Sequence, residues 1–482
     1  MNYKMMGRFV AQIVTIEAVF MLPAMLISGC YGEWVSVAGF AWTLLIMLTV
    51  SGALFALCRR THTIFGAREG LVCVGIGWMV LSALGCLPFV FSNSIPRYID
   101  AFFEIVSGFT TTGSSVLGDV EALPKGMLYW RSFSHWLGGM GVLVFLLALA
   151  PTGGQGFTMH LLRAESPGPD VGKLVPKMRK TASILYLIYV GITVLNVIFL
   201  LLGDMHWLEA LCTAFGTVGT GGYGVRNDSL VSYSPYIQNV TTVFMLLCGI
   251  NFSCYYLLLL GNFRSIFKDE ELRTYLLLVA GAIVLITLDV RDLYDSLADT
   301  LRHSAFTVST IITTTGYGTT DFDLWPTFSK GILMLLMVVG ACAGSTGGGF
   351  KIARMLLVVK SLGRNIRQLL SPRRVQVIRN NGKAVSEQVL DNTNAYLAAY
   401  VVIIIASFLV VSLDNQSVET TFTAVLACFN NIGPGFDAVG PTCNFSGLSD
   451  LSKLVLSLDM LAGRLEIFPI LALFSRNTWL RK

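Results

Sequence analysis

Residues 303–322 read HSAFTVSTIITTTGYGTTDF. The stretch opens as an apolar segment of about half the length that spans a bilayer, roughly 20 residues for a helix. It then breaks into small residues and glycine, between apolar runs at 272–290 and 327–360. Three more stretches have the same design: IDAFFEIVSGFTTTGSSV (99–116), LEALCTAFGTVGTGGYGV (208–225) and TFTAVLACFNNIGPGF (421–436). Their key glycines are read as Gly113, Gly221, Gly316 and Gly433, spaced by 108, 95 and 117 residues, with Gly219 an alternative to Gly221 in the second turn. A period near one hundred residues is an internal repeat. Each unit holds two full spans, so all four run in the same direction and can surround an axis normal to the membrane.

Composition agrees with a membrane setting. The 482 residues are 54% hydrophobic and 13% charged, with mean hydropathy +0.67; a soluble domain carries about 25% charge. Ten spans are expected, at 8–29, 35–58, 71–92, 124–150, 181–203, 234–260, 272–290, 327–360, 391–413 and 448–475. The start, MNYKMMGRFVAQIVTIEAVFMLPAMLI, reads as an uncleaved first span. Every second connection is basic: Arg59, Arg60 and Arg68; Arg163, Lys173, Lys177, Arg179 and Lys180; Arg264, Lys268 and Arg273; then the 361–390 region and Arg481–Lys482. By the positive-inside rule both termini are cytoplasmic. The net charge of +5 sits in these loops and does not point to nucleic acid. The segment 414–450 carries Asp414, Glu419, Asp437 and Asp450 with no Lys or Arg. It is either an acidic mouth that concentrates cations or a set of solvated loops.

Irregular backbone at membrane depth survives only when buried in protein or lining a water-filled cavity. Four such turns around one axis present backbone carbonyls that can replace the hydration shell of a monovalent cation. The residues expected to do so are Thr111, Thr112 and Gly113; Gly219, Thr220 and Gly221; Thr314, Thr315 and Gly316; Asn431, Ile432 and Gly433. The third turn, Thr314-Thr315-Gly316-Tyr317-Gly318, parallels the TVGYG filter of potassium channels. Residues 219–224 fit G-x-G-x-x-G, but no βαβ pattern surrounds them. GSTGGGFK (344–351) misses a Walker A loop by Phe350 and interrupts an apolar run rather than following a soluble strand.

SGFTTTGSS, GTVGTGGYG, TTTGYGTTDFDLWP, GACAGSTGGGFK, NNIGPG and GRLEIFPILALF together resemble the Trk/Ktr/HKT superfamily of potassium transporters, particularly its TrkH/TrkG branch. The resemblance implies an all-α polytopic protein with four parallel M1–pore hairpin–M2 repeats in pseudo-fourfold arrangement around one pore. They would occupy 69–165, 166–265, 266–385 and 386–482, after an N-terminal pair of helices in 1–68. It implies potassium uptake across a bacterial inner membrane, homodimerisation, and a cytoplasmic nucleotide-binding regulatory partner of the TrkA type. No cofactor belongs to this chain, and nucleotide is expected on the partner. The resemblance also makes 340–349 a gating loop under the filter, with Gly344, Ser345, Thr346, Gly347, Gly348, Gly349 and Lys351, and puts Arg464 in the same gate.

Arg464 lies within an apolar run, where a charge is costly unless it faces the pore or a carboxylate. Pairing with Asp459 or Glu466 is the alternative. Lys351 could instead snorkel to the surface. His62 and His160 fall at cytoplasmic ends, and His135, His206 and His303 near outer helix ends. Ten scattered cysteines without a Cys-x-x-Cys pair argue against disulfides or zinc. Paired acids, activated nucleophiles and metal-ligand spacings do not stand out, so an enzyme is not expected. The competing function is a sodium or mixed-cation transporter of the same fold; a Ser at the first filter glycine would mark it, and Gly113 stands there.

Overall fold

The computed structural model describes residues 3–58, 67–141, 178–371 and 376–479. Residues 142–150 of the expected fourth span lie outside these, as do Arg59, Arg60, Arg163, Lys173, Lys177, Arg373, Arg374, Arg481, Lys482, His62 and His160. Among the described residues the chain is helical, with a single two-stranded hairpin, Arg379–Asn380 against Lys383–Ala384. Among the described residues, six helices are long and apolar enough to cross a membrane: Tyr3–Cys30, Trp34–Leu57, Arg68–Phe91, Ala182–Leu201, Glu270–Asp289 and Glu387–Asp414. Large apolar side chains such as Leu26, Trp42, Leu187, Leu277 and Val402 are exposed on their outer faces. That distribution suits lipid as solvent.

The first two helices, α1 (Tyr3–Cys30) and α2 (Trp34–Leu57), form a hairpin. It is tied by Ser51 Oγ, which donates to the Ala11 carbonyl at 3.0 Å. The hairpin leans on α3 (Ala67–Gly85), where Gly77 leaves room for Ile13. Its connecting turn also serves the next unit. Pro124 precedes the helix Lys125–Gly139 and offers no side-chain cap, so the Glu33 carboxylate accepts from Lys125 N–H at 2.6 Å and Gly126 N–H at 3.2 Å. A helix N-terminus leaves its first N–H groups without partners and favours an anion there.

Four short helices carry the turns: α4 (Tyr98–Phe109), α5 (Trp207–Val218), α6 (Leu297–Ile312) and α7 (Val418–Phe429). Three have 12 residues, about 18 Å at 1.5 Å per residue, half a bilayer. Most residues of α4 and α7 are buried, including all of Phe103–Phe109 and Thr423–Phe429, as expected for helix ends surrounded by protein rather than lipid.

The second long element is broken in the second, third and fourth units. The break in the third, at the glycine loop, was expected, whereas 234–260 and 448–475 were expected to be continuous. The expected span 234–260 is Pro235–Cys248 followed by Phe252–Leu259, bent by 90° around Gly249–Asn251. The span 327–360 is Thr327–Val339 and Ile352–Leu370, separated by the glycine loop. The span 448–475 is Asp450–Arg464 and Phe468–Phe474; Glu466 and Ile467 take positive φ, and Pro469 opens the second piece, where a missing N–H is harmless. In 124–150 the described helix ends at Gly139. The breaks use main-chain devices that hydropathy does not register.

Two glycines show how tightly these outer half-helices press on the short ones. A Cβ at Gly138 would lie 1.8 Å from the Phe109 carbonyl oxygen, and one at Gly463 would lie 1.9 Å from that of Phe429. Gly138→Ala and Gly463→Ala should each destabilise the protein by about 1–3 kcal/mol, the usual overpacking penalty. Gly281→Ala, with open space around it, should not. Thermal melting of the detergent-solubilised protein checks the contrast.

Candidate functional site

Each short helix ends in the same hydrogen-bonded turn. Thr111 N–H donates to Gly108 O at 3.1 Å and Thr112 N–H to Ser107 O at 2.9 Å. The equivalent pairs are Thr220 to Thr217 and Gly221 to Gly216, Thr314 to Ile311 and Thr315 to Thr310, Asn431 to Cys428 and Ile432 to Ala427. These are Schellman closures, which satisfy the last helical carbonyls through a residue in the left-handed region. That residue is Thr111, Thr220, Thr314 or Asn431, with φ of 55°, 55°, 56° and 55°. Glycine normally fills the position, because a β-branched side chain there is strained. Here three threonines and an asparagine occupy it, and glycine comes two residues later: Gly113, Gly222, Gly316 and Gly433, all at positive φ.

This corrects the second turn. The equivalent of Gly113 is Gly222, not Gly221 or Gly219. Gly219 is the C-cap of its helix, with φ −71°, matching Thr110, Thr313 and Asn430. The comparable triplet is Thr220-Gly221-Gly222. The other nine expected residues occupy matching places.

The four turns meet. A Cβ built on Gly113 would lie 2.2 Å from Gly221 O, one on Gly222 1.8 Å from Thr315 O, one on Gly316 2.2 Å from Ile432 O, and one on Gly433 2.8 Å from Thr112 O. The chain of contacts returns to its start, so the turns close a ring in which no side chain fits between neighbours. Among the described residues, no hydrogen-bond donor reaches the carbonyls of Thr111, Thr112, Thr220, Gly221, Thr314, Thr315, Asn431 or Ile432. Buried carbonyls are rarely left unpaired. The four turns bring eight such oxygens together.

Charged and aromatic groups brace the ring from behind. Glu104, on α4, accepts from Arg131 Nε at 2.6 Å, Ser115 Oγ at 2.9 Å and Val116 N–H at 2.9 Å, with both charged side chains nearly unexposed. Arg131 also donates to Gly224 O at 3.0 Å and lies 3.4 Å from the Tyr223 ring centroid. Tyr223 donates to Glu104 O, and Tyr317 to Thr213 O at 3.1 Å, so each tyrosine ties its turn to the short helix of the preceding unit. His135, expected near an outer helix end, is fully buried here instead. Its Nδ1–H donates to Gly108 O at 2.8 Å, and its ring occupies the space a Cβ on Gly221 would need. Two charges in apolar helices, Glu104 and Arg131, were a readable signal that sequence reasoning passed over.

On the N-terminal side of the turns lies the 340–351 loop. Gly348 N–H donates to Thr314 Oγ1 at 2.6 Å, and a Cβ on Gly348 would stand 2.4 Å from Asn430 O. Cys342 N–H donates to Gly249 O at 3.1 Å and Phe252 N–H to Gly344 O at 3.0 Å, locking the loop into the bend of the second unit. Arg464 donates to Thr346 O at 2.7 Å and to Gly139 O at 2.7 Å, and also to Gly138 O. The loop thereby contacts the second, third and fourth units directly and is linked to the first through Arg464. Glu466 pairs with Arg354, and Asp459 accepts from Ser407 at 2.8 Å. Lys351 does not snorkel: it is 2% exposed, and its Nζ donates to the loop's own Gly347 carbonyl. Ser345 and Thr346 are buried as well.

On the C-terminal side is a depression lined by Gly113, Gly222, Gly316, Gly433 and Arg131. The acids expected to form a mouth are engaged elsewhere. Asp414 accepts from Ser449 N–H at 2.9 Å, Asp450 pairs with Arg97, and Glu419 lies 3.7 Å from Lys330. Hydrogen bonds from Ser417 and Thr420 hold the Asp437 carboxyl below the ordinary range.

Residues 36–479 match the TrkH family, described as cation transport proteins. The Trk system potassium uptake protein TrkH of Salmonella typhimurium strain LT2 is 34% identical over 486 residues, covering 99% of this chain and 100% of that protein. The Trk system potassium uptake protein TrkG of Escherichia coli K12 is 32% identical, covering 97% and 96%. The crystal structure of the potassium transporter TrkH from Vibrio parahaemolyticus superposes with a TM-score of 0.89 at 30% identity, each chain fully covered.

Removing one member of a buried ion pair strands the other charge, at about 3–5 kcal/mol, whereas replacing both members is far milder. Arg131→Ala should therefore lower the melting temperature of the detergent-solubilised protein well beyond the double variant Arg131→Met/Glu104→Gln.

Proposed function

Because this chain belongs to the TrkH family of cation transport proteins, we propose that it takes up potassium through the ring of turns. It is a multi-pass membrane protein and not an enzyme. The observation that carries the reading is the set of eight buried carbonyls without donors. An ion entering such a ring exchanges water oxygens for carbonyl oxygens, and each of the four turns supplies two of them. The repeats 69–165, 166–265, 266–385 and 386–482 then surround one axis, behind the N-terminal pair in 1–68.

In this reading the depression beside the four glycines is the outer vestibule, and the 340–351 loop lies on the cytoplasmic side, with both termini. The loop and Arg464 obstruct the path: the guanidinium is a fixed positive charge in a low-dielectric route for cations. Two copies form a dimer. A cytoplasmic nucleotide-binding ring of the TrkA type docks on the basic face around 361–390, where Arg367 is exposed and Arg364 is paired with Glu387 at 2.6 Å.

Gly113→Ser tests the ring. Any side chain at 113 meets Gly221 O, so the carbonyl must move. Sodium flux relative to potassium in proteoliposomes should rise; an unchanged ratio in a well-folded variant assigns selectivity elsewhere. A wild-type protein that carries both ions equally would favour the mixed-cation alternative.

Shortening 344–349 tests the gate, with Arg464→Ala beside it. Each should raise potassium flux without any regulatory partner, and their combination should be non-additive because Arg464 holds Thr346 directly. A phosphate loop predicts the reverse: nucleotide binding by this chain, abolished by Lys351→Ala, and loss of flux on shortening.

A further inference from the structure

Glu271 stands in the first turn of the helix Glu270–Asp289, a usual place for an acid. Its carboxylate nevertheless reaches across its own unit to the glycine loop. Oε1 accepts from Ala343 N–H at 2.6 Å and from Ala353 N–H at 3.2 Å. Those amides flank the stretch 344–351, so one oxygen ties the entry of the loop to its exit. The bond to Ala353 also supplies what the local sequence lacks. The helix Ile352–Leu370 starts after Lys351 with no side-chain cap, and its first N–H groups need an outside acceptor.

The two acids before Glu271 hold a different element. Asp269 caps its own helix through Leu272 N–H at 2.9 Å and accepts from Asn381 Nδ2 at 2.9 Å. Glu270 accepts from Asn381 N–H at 3.1 Å and pairs with Lys360, while its own N–H donates to Asn381 Oδ1 at 2.8 Å. Lys360 Nζ donates to Arg379 O at 2.8 Å. Asn381 is the left-handed tip of the 379–384 hairpin. Three consecutive residues therefore grip the hairpin on one side and the loop on the other.

We propose that Asp269-Glu270-Glu271 is a latch in which Glu271 positions the loop in its closed form and the hairpin holds Glu271 in place. Displacing the hairpin from the cytoplasmic side shifts the start of the helix and withdraws the acceptor from both loop amides. The proposal rests on reading the loop as the gate, and gives that gate a mechanical input.

The test uses the full-length protein in proteoliposomes with two readouts: potassium flux without a regulatory partner, and alkylation of individual cysteines by N-ethylmaleimide, located by peptide mass spectrometry. Cys342 sits in the loop at 1% exposure, and Cys248, fully buried in the second unit, reports on overall folding. Glu271→Ala removes two hydrogen bonds to a charged acceptor, so Cys342 labelling and flux should each rise about tenfold or more, with Cys248 still protected. Glu271→Gln retains an acceptor oxygen and should recover most of the protection, whereas Glu271→Met, which fills similar space without an acceptor, should not. Asn381→Ala, at the hairpin tip, should act in the same direction more weakly. Labelling that rises while flux does not supports the latch and removes the loop as the gate. Unchanged Cys342 labelling in Glu271→Ala overturns the latch. If Glu271→Ala also exposes Cys248, Asn381→Ala decides, and no gain in Cys342 labelling there overturns it.

Discussion

Eight main-chain carbonyls without donors, drawn together at the centre of a membrane protein, constrain everything around them. In water such groups would be hydrated; in lipid they would be intolerable. The chain must therefore keep lipid away with full-length helices, which is the place of Tyr3–Cys30, Ala182–Leu201, Glu270–Asp289 and Glu387–Val411. It must also keep its own donors away. The Schellman closures do this by committing the nearest N–H groups to carbonyls of the preceding helix turn. The glycines two residues later let the neighbouring turn approach too closely for any side chain to intervene.

Left-handed threonine is the strained element in that arrangement, at roughly 1–2 kcal/mol for a non-glycine residue. What holds it is local. Thr314 Oγ1 accepts from the loop, Asn431 Nδ2 donates to Thr112 Oγ1 at 3.0 Å and Met460 O at 2.9 Å, and the turns behind are pinned by the Glu104–Arg131–Tyr223 group. A β-branched residue has far fewer accessible backbone conformations than glycine, so strain here is exchanged for a fixed carbonyl direction. Because each glycine leans on a carbonyl of the next turn, a change in one turn is transmitted around the ring.

Much of this was legible in the sequence. The half-helices declared themselves by apolar runs too short to cross a membrane, each closed by small residues, and three of the four turns were placed in register. The second was not, since GTGGYG offers four glycines in six residues and hydropathy cannot choose among them. The left-handed threonines were invisible because composition says that glycine does that work. The bends at Gly249–Asn251 and Leu465–Ile467 escaped because the flanking residues stay apolar across them. Glu271 escaped for the opposite reason: an acid in a helix's first turn already has a sufficient local explanation. The acids of 414–450 left a mouth and solvated loops as open alternatives because their partners, such as Lys330 and Arg97, come from distant parts of the chain.

A gate must be stable in one state without being irreversible, and the polar contacts of the loop fit that requirement. The charge-assisted bonds linking it to the rest of the protein include Arg464 to Thr346 O and Glu271 to the two flanking amides. Such bonds contribute about 1.5–3 kcal/mol each, net of water. Moving a two-state equilibrium from 1:99 to 99:1 takes about 5.5 kcal/mol. Two or three of these bonds are therefore enough to decide which state prevails. The buried apolar contacts of Cys342 and Phe350 help place the loop, and the charged groups that hold it act at its two ends and its middle. A regulator that disturbed packing would have to work against a core, but one that withdraws a carboxylate needs only to move the start of a single helix.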